Sequence, residues 1–322
     1  MLYKLTDKGP LDGVCIVLKV IPFAVNEDQC LKLVNGDHLK PAKFVFNELF
    51  ITNELSKLSE AGNDFVTPSF TQLRMSKVVK GCLPSKLLKA WDDFKKAKPE
   101  LVENDRPDIY AHEDLHFAII GLSYGGKDLE KYTIKNGREC YSIFHQVALS
   151  LAIAEDVLEF EHRDLHAGNI LVEQCPVDEK IRYLYRGEQI DVVSNGVRAS
   201  IIDFSISHLE KKGVCFFVDL SHDNGLFEQN GVSDGGDYQY DVYRLIKAAV
   251  NEKWAKFWPQ TNVLWMGSVS FICPNSAASS KVRCPNRTNE IVLLQHMKFH
   301  CRHHKCQFVR PKLCKPSGIA IC

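Results

Sequence analysis

Two aspartates and one asparagine stand at spacings that suit phosphoryl transfer. The segment EHRDLHAGNILV, residues 161–172, holds Asp164 and, five positions later, Asn169. A second segment, SIIDFS, brings Asp203 to the end of an apolar run. Phosphoryl transfer needs one carboxylate to accept the proton of the attacking hydroxyl, and an amide oxygen and a second carboxylate to hold Mg²⁺. We therefore predict that Asp164 is the base, and that Asn169 and Asp203 hold the magnesium of a bound ATP.

A cation for the nucleotide phosphates is predicted further upstream. Lys19 lies in a β-rich apolar run, from which its ammonium could reach the α- and β-phosphates of ATP. Glu48 lies in a predicted helix and is the natural partner to orient that ammonium. A strand lysine paired with a helix glutamate is usually an ordinary ion pair, and an HRD triplet alone is more often a surface loop. Only the complete set gives these residues a catalytic meaning.

The order of these features along the chain favours one fold. A strand lysine, a helix glutamate, an HRD loop with its asparagine and a strand that ends in Asp-Phe follow one another as they do in protein kinases. Strands are predicted at 1–5 and 14–23, and helices at 43–59 and 141–160. We predict an α+β, bilobal, protein-kinase-like fold, with a small β-rich N-lobe and a larger helical C-lobe.

Local patterns place further elements around this set. Apolar residues of the helix at 43–59 fall near one face and are expected to point inward: Phe46, Leu49, Phe50 and Leu58. Residues 33–42 are predicted as a loop, and 175–196 as an insertion between two strands. The predicted limits are 1–121 for a partial N-lobe, 122–128 for a hinge, 129–268 for the C-lobe and 269–322 for a tail rich in Cys and His.

Composition gives no sign of a membrane or nucleic-acid partner. The 322 residues carry a formal net charge of zero and are 45% hydrophobic. No stretch approaches the roughly 18 apolar residues of a membrane span. The first six of the twelve cysteines lack the spacing of a disulfide framework and are expected to be reduced, buried thiols. We expect an intracellular monomer with no direct contact to nucleic acid or membrane.

Beyond the general kinase pattern, seven segments resemble the haspin family of serine/threonine protein kinases. They run in order from about residue 14 to 266: LVNGDHLK, LLKAWDDF, NDRPDIY, FEHRDLHAGNILV, SIIDFSISHLE, GDYQYDVYRL and NVLWM. The resemblance implies phosphorylation of a threonine near the amino terminus of histone H3, without prior phosphorylation of the activation loop. It also implies a nuclear protein that associates with chromosomes in mitosis, with a cytoplasmic pool as well.

The resemblance also assigns roles to particular residues. It implies that Asp241 braces the catalytic loop, and that Gly225 stands where a second substrate-holding aspartate is expected. For ATP binding it implies Lys19, Glu48, Leu122, Ser123, Tyr124, Gly125, Asp128 and Asp203. For the substrate peptide it implies His166, Asp223 and Asp128.

An acidic stretch supports the expected basic substrate independently of that resemblance. Residues 213–243 contain no Lys or Arg. Such a stretch would attract a cationic peptide such as the histone H3 tail, although a solvated acidic loop has the same composition. The acidic residues are Asp219, Asp223, Glu228, Asp234, Asp237 and Asp241.

Two features depart from the family pattern. Residues 1–18 hold Gly9 and Gly13 but no G-x-G-x-x-G loop to cover the phosphates of ATP, and the predicted N-lobe therefore lacks its first strand and this loop. This leaves a peptide-binding scaffold without catalysis as an alternative, and a small-molecule kinase as a third. Residues 269–322 lack the close cysteine pair that opens a zinc finger, which favours a poorly ordered extension over a metal module.

Overall fold

The computed structural model describes residues 2–5, 15–102, 104–232 and 235–267. Within them the chain has the expected α+β fold, with a small sheet early in the chain and a helical core later. Residues 260–267 are helical too. The helices are α1 Glu27–Cys30, α2 Ala42–Ser56, α3 Ser85–Ala97, α4 Gly137–Leu158, α5 Asn224–Phe227 and α6 Tyr238–Val250.

The strands form one larger sheet and several small ones. The four-stranded sheet has the order β1-β2-β6-β5 and the three-stranded sheet the order β11-β8-β7, while β3–β4, β9–β10 and β12–β13 are separate pairs. The strands are β1 Leu2–Leu5, β2 Ile16–Phe23, β3 Leu33–Val34, β4 Asp37–His38, β5 Leu73–Lys80, β6 His116–Ser123, β7 Lys127–Asp128, β8 Ile170–Gln174, β9 Lys180–Tyr185, β10 Glu188–Val193, β11 Val197–Ile201, β12 Leu209–Lys211 and β13 Val214–Phe216.

The four-stranded sheet fixes the position of Lys19. Strand β2 pairs antiparallel with β1 on one side and with β6 on the other, so Lys19 lies opposite Leu2 and Ile120. Ile16, Val20 and Phe23 are buried, and Lys19 stands among them on a strand held from both sides. The two strands predicted at the start of the chain are therefore present. A strand paired along both edges is a rigid support for a single functional ammonium.

Helix α2 forms where it was predicted but turns a different face inward. Its buried residues include Val45, Glu48, Thr52 and Leu55, which recur at helical spacing. Phe46, expected inside, is 58% exposed. The expectation was wrong for this residue and right for Leu58, which is buried. The buried part of the helix also carries three polar side chains, one of which is Glu48.

Helix α4 is the centre of the larger core. The Asn136 side chain caps its start by accepting the backbone N–H groups of Arg138 and Glu139. Its end is set by Glu159 in the left-handed conformation, at φ 45°. The helix buries fourteen residues, so it is held on most sides before it delivers the chain to residue 161. The predicted range of 141–160 was shifted by a few residues from the true one.

Two segments expected to be irregular contain short strands. The predicted loop at 33–42 holds the small hairpin β3–β4. The predicted insertion at 175–196 holds the hairpin β9–β10, with Ile181, Tyr183 and Val192 buried. The insertion is therefore part of the core rather than an appendage. Alternation of apolar and polar residues along KIRYLY was the available signal.

The cysteines are less uniform than expected. Cys15, Cys30, Cys175 and Cys215 are half-buried thiols, whereas Cys82 is an exposed thiol. Cys140 is disulfide-bonded, contrary to the expectation for this part of the chain. Among the described residues we find no helix with the length and apolar character needed to cross a bilayer.

Candidate active site

Three charged side chains from separate elements meet at one point. The Lys19 ammonium on β2 lies 2.6 Å from Glu48 Oε1 on α2. It also lies 3.1 Å from Oδ1 of Asp203, which follows β11 after one further residue. The three predicted residues, distant in sequence, are thus brought together. We call this group the phosphate side of the site.

The contacts of the phosphate side keep Lys19 and Asp203 ionised. Burial by itself would lower the pKa of Lys19, but Glu48 and Asp203 outweigh it, and the net pKa is raised. Burial likewise acts to raise the pKa of Asp203, and the Lys19 ammonium more than offsets it, so that pKa is lowered. The ammonium and the carboxylate are therefore both charged at neutral pH.

The HRD loop supplies the second part of the site. Asn169 Nδ2 lies 2.8 Å from the backbone oxygen of Asp164 and 3.2 Å from its Oδ2. Burial raises the pKa of Asp164, hydrogen bonding from Tyr243 opposes this, and the charge of Asp203 adds to the increase. The carboxylates of Asp164 and Asp203 are thus within electrostatic reach of each other. Asp164, Asn169 and Asp203 converge as their spacing predicted.

Tyr243 is a site residue that sequence reasoning missed. Its phenol donates a short hydrogen bond to Asp164 Oδ1. Burial raises the pKa of Tyr243, and the Asp164 carboxylate raises it further, so the phenol keeps its proton and remains the donor. It lies in DVYRL, where helical periodicity shows only a partly apolar face. No signal in the sequence joins a tyrosine of α6 to a loop 79 residues earlier.

His162 connects the loop of Asp164 with the loop of Asp203. Its Nδ1 accepts the Asp164 N–H at 3.2 Å, and its Nε2 lies 3.0 Å from the Ile202 carbonyl, one residue before Asp203. The ring is fully buried, and this burial lowers the pKa of His162 to about 4. The imidazole is therefore neutral, with its proton on Nε2. One small ring sets the spacing between the two loops.

A buried ion pair supports the same loop. The Arg163 guanidinium lies 3.0 Å from Glu161 Oε1, and both side chains are fully buried. Thr261 Oγ1 donates to the same carboxylate at 2.8 Å, and Asn262 Oδ1 accepts the His162 N–H at 2.9 Å. Arg163 has a positive φ of 65°, an uncommon conformation that these contacts impose. The brace comes from residues 261–262 as well as from the loop itself.

Asp241 does not provide the expected brace. Its carboxylate accepts the Val232 N–H and pairs with Arg244 at 2.6 Å. The assignment was wrong because Asp241 lies on the first turn of α6 and faces the segment before the helix. Tyr243, two residues further, reaches the catalytic loop instead.

Residues 211–217, which follow Asp203, pack against α2 and hold it in position. Phe216 on β13 stacks on Phe50 of α2 with ring centroids 4.0 Å apart. Asn47 Nδ2 donates to the Phe217 carbonyl at 3.1 Å, and Lys211 forms an ion pair with Glu54. Helix α2 therefore cannot shift without breaking these contacts. They hold Glu48 against Lys19.

The predicted hinge residues follow β6. Ser123 Oγ accepts the Gln72 N–H at 3.0 Å, and the Tyr124 N–H donates to the Cys15 carbonyl at 3.1 Å. Gly126 has φ 97°, and a Cβ there would lie 2.1 Å from the Val172 carbonyl oxygen, so a glycine is required.

The other hinge residues are placed as follows. Leu122 pairs with Val17 of β2, and a Cβ on Gly125 would lie 3.0 Å from Leu171. The Asp128 carboxylate is engaged by the N–H and the ammonium of Lys131, at 2.9 and 3.0 Å. For Asp128 to bind the ribose of ATP, its carboxylate would have to give up the contact with Lys131.

A cleft of about 500 Å³ is lined by Tyr243, whose phenol donates to Asp164. His166 lies at its edge, with Nδ1 3.3 Å from Glu130 Oε1 and Nε2 4.0 Å from Asp164 Oδ1. Asp223, predicted to bind substrate, lines it too. The lining residues are Glu130, His166, Asp223, Gly225, Leu226, Asp237, Gln239, Tyr240 and Tyr243.

The acidic stretch divides into two groups. Asp241 is paired with Arg244, whereas Asp223 and Asp237 accept only backbone N–H groups, of Leu226 and Gln239. Asp219 similarly accepts the N–H of Ser221. Within the described part of the chain no Lys or Arg pairs with Glu130, Asp223 or Asp237. We call these three carboxylates the peptide side of the site.

One residue of the acidic stretch and the predicted tail are not among the described residues. Asp234 and the whole Cys/His-rich segment 269–322 lie outside the described residues. Among the described residues, no group of three or more His, Cys, Asp or Glu is arranged to hold a metal ion.

Comparisons with known proteins agree with this architecture. The sequence model of the "Haspin like kinase domain" family matches residues 2–298, which extends past residue 268, where we expected the resemblance to end. The serine/threonine-protein kinase haspin of Mus musculus is 38% identical over 258 residues, covering 79% of this chain and 32% of that protein. The haspin of Bos taurus is 39% identical, with 78% and 30% covered.

A more distant relative gives the same result. The serine/threonine-protein kinase haspin homolog of Drosophila melanogaster is 33% identical, covering 79% of this chain and 42% of the relative. The chain therefore spans between 30% and 42% of the length of these three relatives. It belongs to the haspin-like kinase domain family.

Proposed function

We propose that this chain is an ATP-dependent serine/threonine protein kinase domain. The observation that carries the proposal is the meeting of Lys19, Glu48 and Asp203 within electrostatic reach of Asp164. A simple structural ion pair would need only one carboxylate for the ammonium. Two carboxylates, a cation and a separate buried aspartate match the needs of phosphoryl transfer.

The donor atoms suit ATP and Mg²⁺. Asn169 uses its NH₂ group on Asp164, so its carbonyl Oδ1 is the atom that would bind a metal. The Asp203 carboxylate would be the second ligand, and such hard oxygen donors are those that Mg²⁺ prefers. When bound, the metal would neutralise charge on the phosphates. Lys19 would hold the non-transferred phosphates, with Glu48 keeping its ammonium in place.

Asp164 would act on the substrate hydroxyl. Its carboxylate is buried beside the peptide side and is oriented by Tyr243 and Asn169. As the phosphoryl group is transferred, Asp164 would accept the proton of the attacking serine or threonine hydroxyl. Positioned bases of this kind contribute about 10²- to 10⁴-fold to the rate.

The proposed substrate is a threonine near the amino terminus of histone H3. The relatives are haspins, and the peptide side carries three carboxylates without a cationic partner among the described residues. A basic tail would compensate these charges. With this substrate, we propose a nuclear protein that associates with chromosomes in mitosis. We propose further that the enzyme is a monomer and does not itself bind nucleic acid or membrane.

The test is labelling of a histone H3 tail peptide by the purified protein with ATP and Mg²⁺. Asp203→Asn keeps the size of the side chain but removes the charge, and we expect it to abolish labelling. The matched control is Asp178→Asn, an exposed position between β8 and β9, which should label like the parent. Equal labelling by Asp203→Asn and the parent would refute the metal assignment.

One observation favours a second candidate, a peptide-binding scaffold without catalysis. The three carboxylates of the peptide side could bind a basic peptide whether or not phosphoryl transfer follows. Thermal melting with millimolar ATP and Mg²⁺ separates the two, because a ligand that binds the folded state raises the melting temperature. A clear shift supports the kinase, and no shift supports the scaffold.

A further inference from the structure

Tyr243 lies between the cleft and the catalytic carboxylate. Its ring lines the cleft, and its phenol donates to Asp164 Oδ1. We propose that Tyr243 is a positioning residue that holds the Asp164 carboxylate in the orientation needed to receive the substrate hydroxyl. The proposal rests on the kinase function proposed above and adds to it a residue outside the HRD loop.

The phenol is held in place by rigid packing. Tyr243 is buried on α6, and its ring meets Trp265 edge-on, with centroids 5.2 Å apart and planes at 77°. Trp265 is itself fully buried. A donor fixed in this way can direct a neighbouring group, because its own rotamers are restricted by packing.

The carboxylate depends on this donor. Asp164 Oδ2 receives the Asn169 amide at 3.2 Å, whereas Oδ1 has Tyr243 as its only hydrogen-bond donor within the described ranges. His166 Nε2 lies 4.0 Å from Oδ1, beyond hydrogen-bond distance. Rotation about the last bond of an aspartate side chain is broad and only weakly restricted. Without the phenol, only the Asn169 amide on Oδ2 would hold the carboxylate, which could then turn about this bond.

Orientation of this carboxylate affects the reaction more than it affects binding. A hydroxyl that enters along the cleft approaches beside Tyr243, so the phenol and the substrate share Asp164 as acceptor. The nucleotide groups Lys19 and Glu48 make no contact with Tyr243. The phenol should therefore influence the transfer step and leave the affinity for ATP unchanged.

The experiment compares Tyr243→Phe with the parent in single-turnover transfer from ATP to a histone H3 tail peptide. We expect the rate constant to fall about 10- to 100-fold, since small errors in placement cost this much. The KM for ATP should stay close to that of the parent, and the melting temperature should fall no further than in the control variant below, which also loses one buried hydrogen bond. The substitution keeps the ring and its contact with Trp265.

The matched control is Tyr183→Phe. Tyr183 is also fully buried and also loses one hydrogen bond, to Ser69 Oγ at 2.7 Å, but it lies on β9 away from Asp164. It should lower the melting temperature and leave the single-turnover rate unchanged. The two variants thus separate loss of positioning from loss of stability.

Each outcome decides the proposal. An active parent with an unchanged rate in Tyr243→Phe would overturn the role of Tyr243 and leave the kinase function intact. A slower variant that also melts early and binds ATP poorly would show general loosening, which overturns it as well. A parent that labels no peptide would overturn the kinase function and this inference together.

Discussion

The two sides of the site treat charge in opposite ways. On the phosphate side, Lys19 lies within 3.1 Å of two carboxylates, so positive and negative groups compensate each other. On the peptide side, Glu130, Asp223 and Asp237 have no Lys or Arg partner in the described ranges, and Glu130 meets only His166. Compensated charges fix geometry, whereas uncompensated charges attract a ligand of opposite sign.

This contrast has a consequence for ionic strength. Exposed charges are screened by salt over a Debye length of about 8 Å at physiological ionic strength, whereas buried pairs are screened much less. Binding of a basic peptide should therefore depend on salt far more than binding of nucleotide. The two sides can be disturbed separately.

The largest effect is expected from breaking the phosphate side. Lys19→Met leaves Glu48 and Asp203 without their cation, and removal of one preorganised charged contact typically costs about 10²- to 10³-fold in rate. The thermal shift with ATP and Mg²⁺ should also be lost. Lys180→Met, an exposed position on β9, is the control. Unchanged activity in Lys19→Met would show that the ion cluster is only structural.

A smaller effect is expected from reducing charge on the peptide side. The double variant Asp223→Asn, Asp237→Asn removes two charges but keeps side-chain oxygens that can accept the N–H groups of Leu226 and Gln239. We expect the KM for the histone H3 tail peptide to rise roughly 10-fold, in line with the loss of two close charge pairs in water. The KM for ATP should not change.

Salt gives this variant an internal control. In the parent, the KM for the peptide should rise as salt is increased, and the double variant should show a weaker dependence. If parent and variant respond to salt alike, the acidic cleft does not recognise the peptide through its charge.

The last effect concerns stability and comes from His162, which connects the loop of Asp164 with the loop of Asp203. In the folded protein the pKa of His162 is about 4, against 6.5 for an unperturbed histidine. Between these values the unfolded chain binds more protons, so the stability from neutral His162 is complete above pH 6.5 and is lost as pH falls towards 4. The loss amounts to at most about 3 kcal/mol.

The measurement is urea unfolding between pH 7 and 4. Buried His208 also has a lowered pKa and contributes in the same direction, so slopes are compared between variants. His162→Gln should flatten the dependence of unfolding free energy on pH, whereas His38→Gln, an exposed position on β4, should not. Equal slopes for His162→Gln and the parent would contradict the assigned neutral ring.

Motifs predicted the phosphate side well because each of its residues has a fixed place in the chain. Lys19, Glu48, Asp164, Asn169 and Asp203 were identified from spacing and order, and the structure brings them together. The strands and helices that carry them were also predicted closely. A motif fixes both residue types and spacing, so the convergence of these side chains could be predicted from the sequence.

The remaining contacts arise from packing, which spacing does not reveal. Tyr243 and Asn262 reach the HRD loop from 79 and 100 residues away, and neither stands in a motif. The inward face of α2 was misjudged because Glu48 and Thr52 are buried polar residues. Asp241 was given the role of Tyr243 because both lie on one turn of α6. Sequence periodicity cannot show which of two neighbouring side chains points to a distant loop.

The central claim is that the two sides serve one phosphoryl transfer. Single-turnover transfer from ATP to the histone H3 tail peptide, measured for Asp164→Asn, tests this most directly. We expect the rate constant to fall by about 10²- to 10⁴-fold. The thermal shift with ATP and Mg²⁺ should be retained, because the phosphate side is intact. Transfer by Asp164→Asn at the rate of the parent would show that Asp164 does not act as the base.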